Sequence, residues 1–239
     1  TWLGALAMNY RPSNASDFTF GLSGFITDEL VSYDISGEYW LNQAGTSGPE
    51  GVGGELGVGK YMEHSRNRLK ASVLQAMLKG NTSWRSNHFT YGLTYQHESF
   101  RDRTREWEWR DSSGYSLPHL PDGVHLIYNL ASRQDISANR LALFLEDSYY
   151  WDTEKAHFSL NGGVRFSYWD FNKEFLASPR VNFTFSPMVN NRWTYRLALG
   201  MYYQSPFYKE YRQSITDANG NAVVQLNRDI KSPRSIQVV

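Results

Sequence analysis

The chain has 239 residues, and its 24 basic and 24 acidic side chains cancel, which removes the electrostatic case for binding nucleic acid. It has no cysteine, which excludes disulfides, thiolate nucleophiles and cysteine-ligated metals. Mean hydropathy is −0.55 with 15% aromatic residues, and no apolar run approaches the roughly 18 residues of a helical span; a strand-built wall with one polar face is compatible with all three.

In chain order, residues 2–11 (WLGALAMNYR) are predicted as a first strand, with Trp2, Leu6, Met8 and Tyr10 on one face. Residues 12–17 form a turn, and 18–27 return as a second strand with Phe18, Phe20 and Leu22 together. A first long loop is expected over 28–57, and a third strand over about 61–78. After a short turn at 79–87, a fourth strand sets Phe89, Tyr91, Leu93 and Tyr95 against Thr90, Gly92, Thr94 and Gln96. It continues past Gln96 as HESFRDRTREWEWRD, still alternating but charged, and so projects beyond the bilayer into water. A second long loop covers 111–133. The fifth strand, 138–151, places Leu141, Leu143 and Leu145 outward and Arg140 and Glu146 inward, with Asp147 as a misfit assigned to a rim or a bulge.

After a tight turn at 152–155, residues 157–205 carry three runs of strict period-two alternation. Phe158, Leu160, Val164, Phe166 and Tyr168 share one face; so do Val181, Phe183 and Phe185; so do Trp193, Tyr195, Leu197, Leu199, Met201 and Tyr203. Aromatics sit at the ends of these rows and aliphatic or Phe side chains fill the middle, the order a bilayer imposes. The opposite faces carry Arg165, Arg180 and Arg196 in mid-strand. A one-residue slip would turn all three toward lipid, at about 6–12 kcal/mol in total. The last two connections are a loop at 170–177 and a tight turn at 189–192; a third long loop spans 206–229 and a ninth strand begins near 231.

Short and long connections alternate through all nine strands, as in an outer-membrane barrel with short periplasmic turns and long outer loops. The expected fold is all-β, a transmembrane antiparallel up-and-down barrel. A nine-stranded sheet would leave two edges unpaired in lipid, so the chain, which starts at Thr1 and stops inside a strand, is expected to be one piece (residues 1–239) of a larger barrel.

NGGVRFSYWDFNKEFLASPR, YYQSPFYKEYR and LNRDIKSPRS within 157–235 carry a family resemblance, joined by YDISGEYWLN (33–42), GVGKYMEHSRNRL (57–69) and EWEWRDSSGYSLPHLPDG (106–123). With them the chain resembles TonB-dependent outer-membrane receptors of the type with an N-terminal carboxypeptidase-regulatory-like domain. The resemblance implies a barrel of about 22 strands with a plugged lumen. It further implies uptake of a bulky nutrient: a metal chelate, cobalamin or an oligosaccharide. The implied partners are the outer-membrane bilayer, the receptor's own plug domain, the TonB energy-transducing complex reached through an N-terminal region, and a surface lipoprotein. No plug or TonB box lies in this sequence.

Other motifs are weaker. GVGGELGVG (51–59) has Leu56 where a dinucleotide fingerprint needs its third glycine, and no Lys-Ser/Thr follows it. His119, Asp122 and His125 lack compact ligand spacing and read as loop residues. The charged run from Arg101 to Asp111 reads as a solvated hairpin whose charges pair across strands. Three Asn-X-Ser/Thr matches, at Asn14, Asn81 and Asn182, are discounted for a bacterial barrel. No Ser stands with a His in a recognisable catalytic context, so no enzyme, catalytic residue, cofactor or metal is expected.

Two sets of candidate contact residues remain. Arg165, Arg180, Asn182, Arg196 and Gln204 face the lumen, toward plug or ligand. Tyr39, Trp40, Trp107, Trp109 and Tyr115 lie in or near outer loops, where aromatic rings can stack on a sugar or chelate or equally pack loop against loop. The alternatives are a passive porin or export barrel, an outer-membrane barrel enzyme, and a soluble β-sandwich whose second sheet covers the apolar rows.

Overall fold

The computed structural model describes residues 1–42, 55–111, 126–188, 192–218 and 222–239. Nine strands make one antiparallel sheet in the order β1-β2-β3-β4-β5-β6-β7-β8-β11. They are β1 (Trp2–Ser13), β2 (Ser16–Asn42), β3 (Glu55–Trp84), β4 (Asn87–Asp111), β5 (Leu126–Thr153), β6 (Ala156–Trp169), β7 (Glu174–Pro187), β8 (Tyr195–Tyr203) and β11 (Arg234–Val238). The remaining two, β9 (Arg212–Thr216) and β10 (Ala222–Leu226), form a hairpin off this path.

The register sets like faces side by side, as the alternation requires. Leu143 pairs with Phe166 and Phe166 with Ala177; Leu160 pairs with Phe183 and Phe183 with Leu197. On the other face Arg180 pairs with Gly163 and Gly200, and Thr184 with Arg196. The outward row stays bare: Leu143 is 48% exposed and Leu197 51%. Among the described residues no second sheet covers it, as a sandwich would demand. The rows of exposed large apolar side chains on β6 to β8 face outward, and only a lipid solvent makes that favourable.

Several strands run further than the alternation of apolar residues predicts. β2 continues to Asn42, through half of the expected first loop, and β3 begins at Glu55. β5 begins at Leu126, inside the expected second loop. Here charge pairing replaces apolar pairing as the cross-strand interaction. Arg68 Nε and Nη2 donate to Asp28 at 2.8 and 2.6 Å, and Lys60 meets Glu38 at 3.2 Å. The turn expected at 79–87 shrinks to Arg85-Ser86, where Arg85 takes the left-handed φ of 57°. Strand β8 starts two residues later than the Trp193 row suggests. Asp147 sits in an unbroken ladder between Phe89 and Gly162, so no bulge accommodates it. It lies near the short-turn rim, where Asn87 donates to Oδ2 at 2.6 Å.

The face assignment has a direct test in the full-length protein folded in bilayers. Leu143→Arg, on the outward row, is expected to cost about 2–4 kcal/mol in unfolding titrations, and Thr90→Arg, on the inner face, under about 1 kcal/mol. The reverse order would mean the faces are exchanged.

Candidate functional site

The third long loop does not stand away from the wall. Residues 204–218 and 222–233 fold back over the face that bears Ile136, Ala138 and Arg140, opposite in parity to Leu141 and Leu143. That places the segment on the lumen side. Tyr211 is its anchor, 1% exposed and packed with Ile136, Ala138, Trp169 and Phe171. Its ring meets Trp169 edge-on at 5.5 Å and Phe171 at 4.9 Å, while Tyr208 stacks on Phe100 at 5.3 Å. The β9–β10 hairpin then lies beside β5, where Ala222 pairs in parallel with Leu130 and Gln134 Nε2 donates to the Val224 carbonyl at 2.8 Å.

Two buried carboxylates organise the polar side of this contact. Glu98, 4% exposed, accepts from Arg140 Nε at 3.1 Å and from the Trp169 indole N–H at 2.9 Å. The Arg140 guanidinium also lies 3.9 Å from the Trp169 ring centre. Asp102, 5% exposed, accepts from the Tyr208 hydroxyl at 2.6 Å and pairs with Arg212 Nε at 3.2 Å. Each buried charge is thus matched by a cation and a neutral donor, which offsets the cost of desolvating it. Lower on the segment, Ser232 donates through its backbone N–H and its hydroxyl to Glu174, and Asn172 donates to the Ile230 carbonyl at 2.9 Å. Together these contacts form a latch from loop to wall.

Of the lumen candidates, Arg165, Arg180 and Arg196 are exposed on the inner face and make no ion pair among the described residues. Arg165 borders a recess of about 220 Å³ with Arg140, Trp169 and Glu174, beneath the latched segment. Arg180 and Asn182 border a second, of about 290 Å³, with Glu146 and Tyr202. The buried Asn182 Oδ1 has no partner there. Gln204 is exposed just beyond β8, its backbone N–H bonded to the Pro233 carbonyl at 3.2 Å.

The outer aromatic candidates do not converge. Trp107 lies on the outward face of extended β4, stacked on His64 at 4.8 Å, and Trp109 shares its parity. Tyr39 lies over Gly59, where a Cβ would collide with its ring, and its hydroxyl donates to the Asp111 carbonyl at 3.0 Å. Tyr39 therefore ties strand to strand. The Trp40 side chain, Tyr115 and the His119–Asp122–His125 group lie outside the described residues. A Ser–His contact does occur, Ser83 Oγ to His88 Nδ1 at 2.8 Å, exposed at the short-turn rim.

Glu98, Asp102, Tyr208, Tyr211 and Arg212 escaped the sequence reading. The available signal was PFYKEYR, an aromatic-rich stretch unusual for a solvated loop, together with Glu98 and Asp102 on the inward parity of β4.

Burial, then the Asp102 hydrogen bond, holds the Tyr208 phenol well above the ordinary tyrosine range. Burial does the same for Tyr211. A raised folded-state value means the latch contributes fully below about pH 10 and is lost progressively as pH rises above it. Proteolytic protection of 204–233 in the full-length protein is expected to fall above that pH. The paired Tyr208→Phe and Tyr211→Phe changes should flatten the dependence; an unchanged profile would assign it to other groups.

The comparison with curated proteins returns no match. The family model described as TonB dependent receptor-like, beta-barrel, matches residues 1–238, nearly the whole chain. The sheet, its bare apolar outer face and its inner polar face agree with that match. The chain belongs to the TonB-dependent receptor β-barrel family, whose members are transporters of the bacterial outer membrane.

Proposed function

We propose that this wall, residues 1–239, is part of an energy-coupled importer for a bulky nutrient, a metal chelate, cobalamin or an oligosaccharide. Further strands would complete the barrel and a plug domain would close it. The observation that supports the reading is the inner face itself. It carries three arginines without carboxylate partners among the described residues, on adjacent strands, below a loop latched across the lumen side. A plug presenting carboxylates would neutralise Arg165, Arg180 and Arg196, and the latched segment would narrow the way in above it. Asn182 and Gln204 would complete that contact or line the ligand path. An enzyme would need a nucleophile and base oriented at the rim, whereas Ser83–His88 has no carboxylate on the imidazole among the described residues.

Among the described outer candidates, Tyr39 has the inward parity and would reach the lumen, and Trp107 and Trp109 would suit a contact outside the wall, such as with a surface lipoprotein. Tyr128, whose hydroxyl donates to Glu106 at 3.4 Å, belongs to the inner set.

The deciding experiment is uptake of each nutrient class by cells carrying the full-length gene, with and without a functional TonB complex. Loss of uptake without TonB is expected; uptake that persists unchanged would favour the porin. In the same cells, Arg165→Gln with Arg180→Gln should increase passive entry of large hydrophilic antibiotics several-fold by loosening the plug. Unaltered sensitivity would separate these arginines from plug contact.

A further inference from the structure

The inner face is not the only place where cations stand without carboxylates. On the outward face, β4 carries Arg101 and Arg103 immediately after the lipid-facing row that ends Tyr95, His97, Ser99. Neither makes an ion pair among the described residues. Arg68 and Lys70 lie opposite them on β3, since Lys70 pairs with Arg101 and Arg68 with Arg103. Arg133 lies opposite Arg103 on β5. Like charges directly opposite one another destabilise a sheet, so three adjacent strands pay for this arrangement. The carboxylates nearby do not cancel it. Asp28 is already engaged by Arg68 and Lys70, and Asp135, which lies opposite Arg101 on β5, meets Arg133 at 3.4 Å rather than Arg101.

Two hollows result. One, of about 100 Å³, is lined entirely by Arg68, Lys70, Arg101 and Arg103. The other, of about 400 Å³, adjoins it through Arg101 and Arg103 and adds Arg133, Ser99, Phe100, Ile136, Ser137 and one carboxylate, Asp135. Their height is fixed by the rows below. Ile26, 60% exposed, is two residues before Asp28, and Leu74, 51% exposed, is four residues after Lys70 on the antiparallel β3. At roughly 3.4 Å of rise per residue these distances are about 7 and 14 Å along the strand, less after the strand tilt. The hollows therefore stand at headgroup level. They lie at the end opposite the short turns, the outer leaflet of the outer membrane.

We infer that this outward cluster is a binding site for the phosphorylated headgroup of an outer-leaflet glycolipid. A phosphate takes charge-assisted hydrogen bonds from several guanidinium groups at once, and its acyl chains would continue down the bare rows of β3, β4 and β5. The ligand relieves the like-charge opposition, which accounts for clustering that water alone does not favour. A soluble acidic protein would have to enter the headgroup layer to reach the same side chains.

The test uses the full-length receptor in detergent, probed by native mass spectrometry with lipid A and with enzymatically dephosphorylated lipid A. Phosphorylated lipid A is expected to bind at least tenfold better, with affinity falling as salt rises. Arg101→Gln with Arg103→Gln should remove that preference; Arg101→Lys with Arg103→Lys should retain most of it. The inner-face control Arg165→Gln should leave it unchanged. Heat-modified gel mobility reports whether each barrel has folded, and both arginines are exposed, so loss of fold is not expected. Inorganic phosphate at millimolar concentration should compete weakly; competition equal to that of lipid A would make the site one for free phosphate and overturn the lipid assignment. Equal binding of the two lipid A forms, or full binding by the glutamine variant, would overturn the proposal outright.

Discussion

Hydrocarbon offers a peptide group nothing to bond to, and that constraint shapes this chain from Trp2 to Val238. Each backbone N–H and C=O inside the bilayer must find its partner on a neighbouring strand. The ladders are accordingly continuous through the spanning segments: β2 on β3 from Ser16 to Leu41, and β4 on β5 from Asn87 to Glu108, without a register shift. An unbroken ladder preserves parity over the whole length of a strand. Parity then decides which side chains see lipid and which see the lumen, and every later feature inherits that division.

Beyond the apolar band the same ladders persist under different forces. Water could now satisfy the backbone, yet the strands continue because their side chains pair across them: Asp28 with Arg68, Asp34 with Arg66, Lys60 with Glu38. Individually such exposed pairs contribute little, about 0–1 kcal/mol. Strung along strands already aligned by the membrane segment, they need only tip a balance, because alignment has been achieved lower down. The extension also gives the 204–233 segment a wall to fold against, since Asp102, Thr104 and Gln134 all belong to its lower part.

What could be read from the sequence follows from this division. Strands β6, β7 and β8 were legible with their pairing, because period-two alternation and the inward Arg165, Arg180 and Arg196 leave one affordable register. The reach of β2 to Asn42 was not, because LVSYDISGEYWLN alternates without apolar contrast, and a charged alternating strand resembles a solvated loop. The β9–β10 hairpin was hidden for another reason. RQSIT and AVVQL are each five residues long, and their structure depends on a surface supplied by residues more than a hundred positions away, such as Asp102 and Thr104. Local pattern carries no trace of such a partner.

The two unpaired arginine groups then acquire opposite meanings from one rule. These guanidinium groups are exposed, so what they offer is free charge: an anion brought against either group would gain charge-assisted hydrogen bonds from them. On the proposed reading, the anion for the inner face of β6 to β8 would come from within the barrel, from a plug or a ligand. For Arg101 and Arg103 on the outward face of β4 it would come from the membrane, on the side where the rows of lipid-facing side chains end. One sheet, with its period of two, thereby holds separate groups of arginines on its two faces, and neither could be moved to the other without slipping the register that holds the barrel in the membrane.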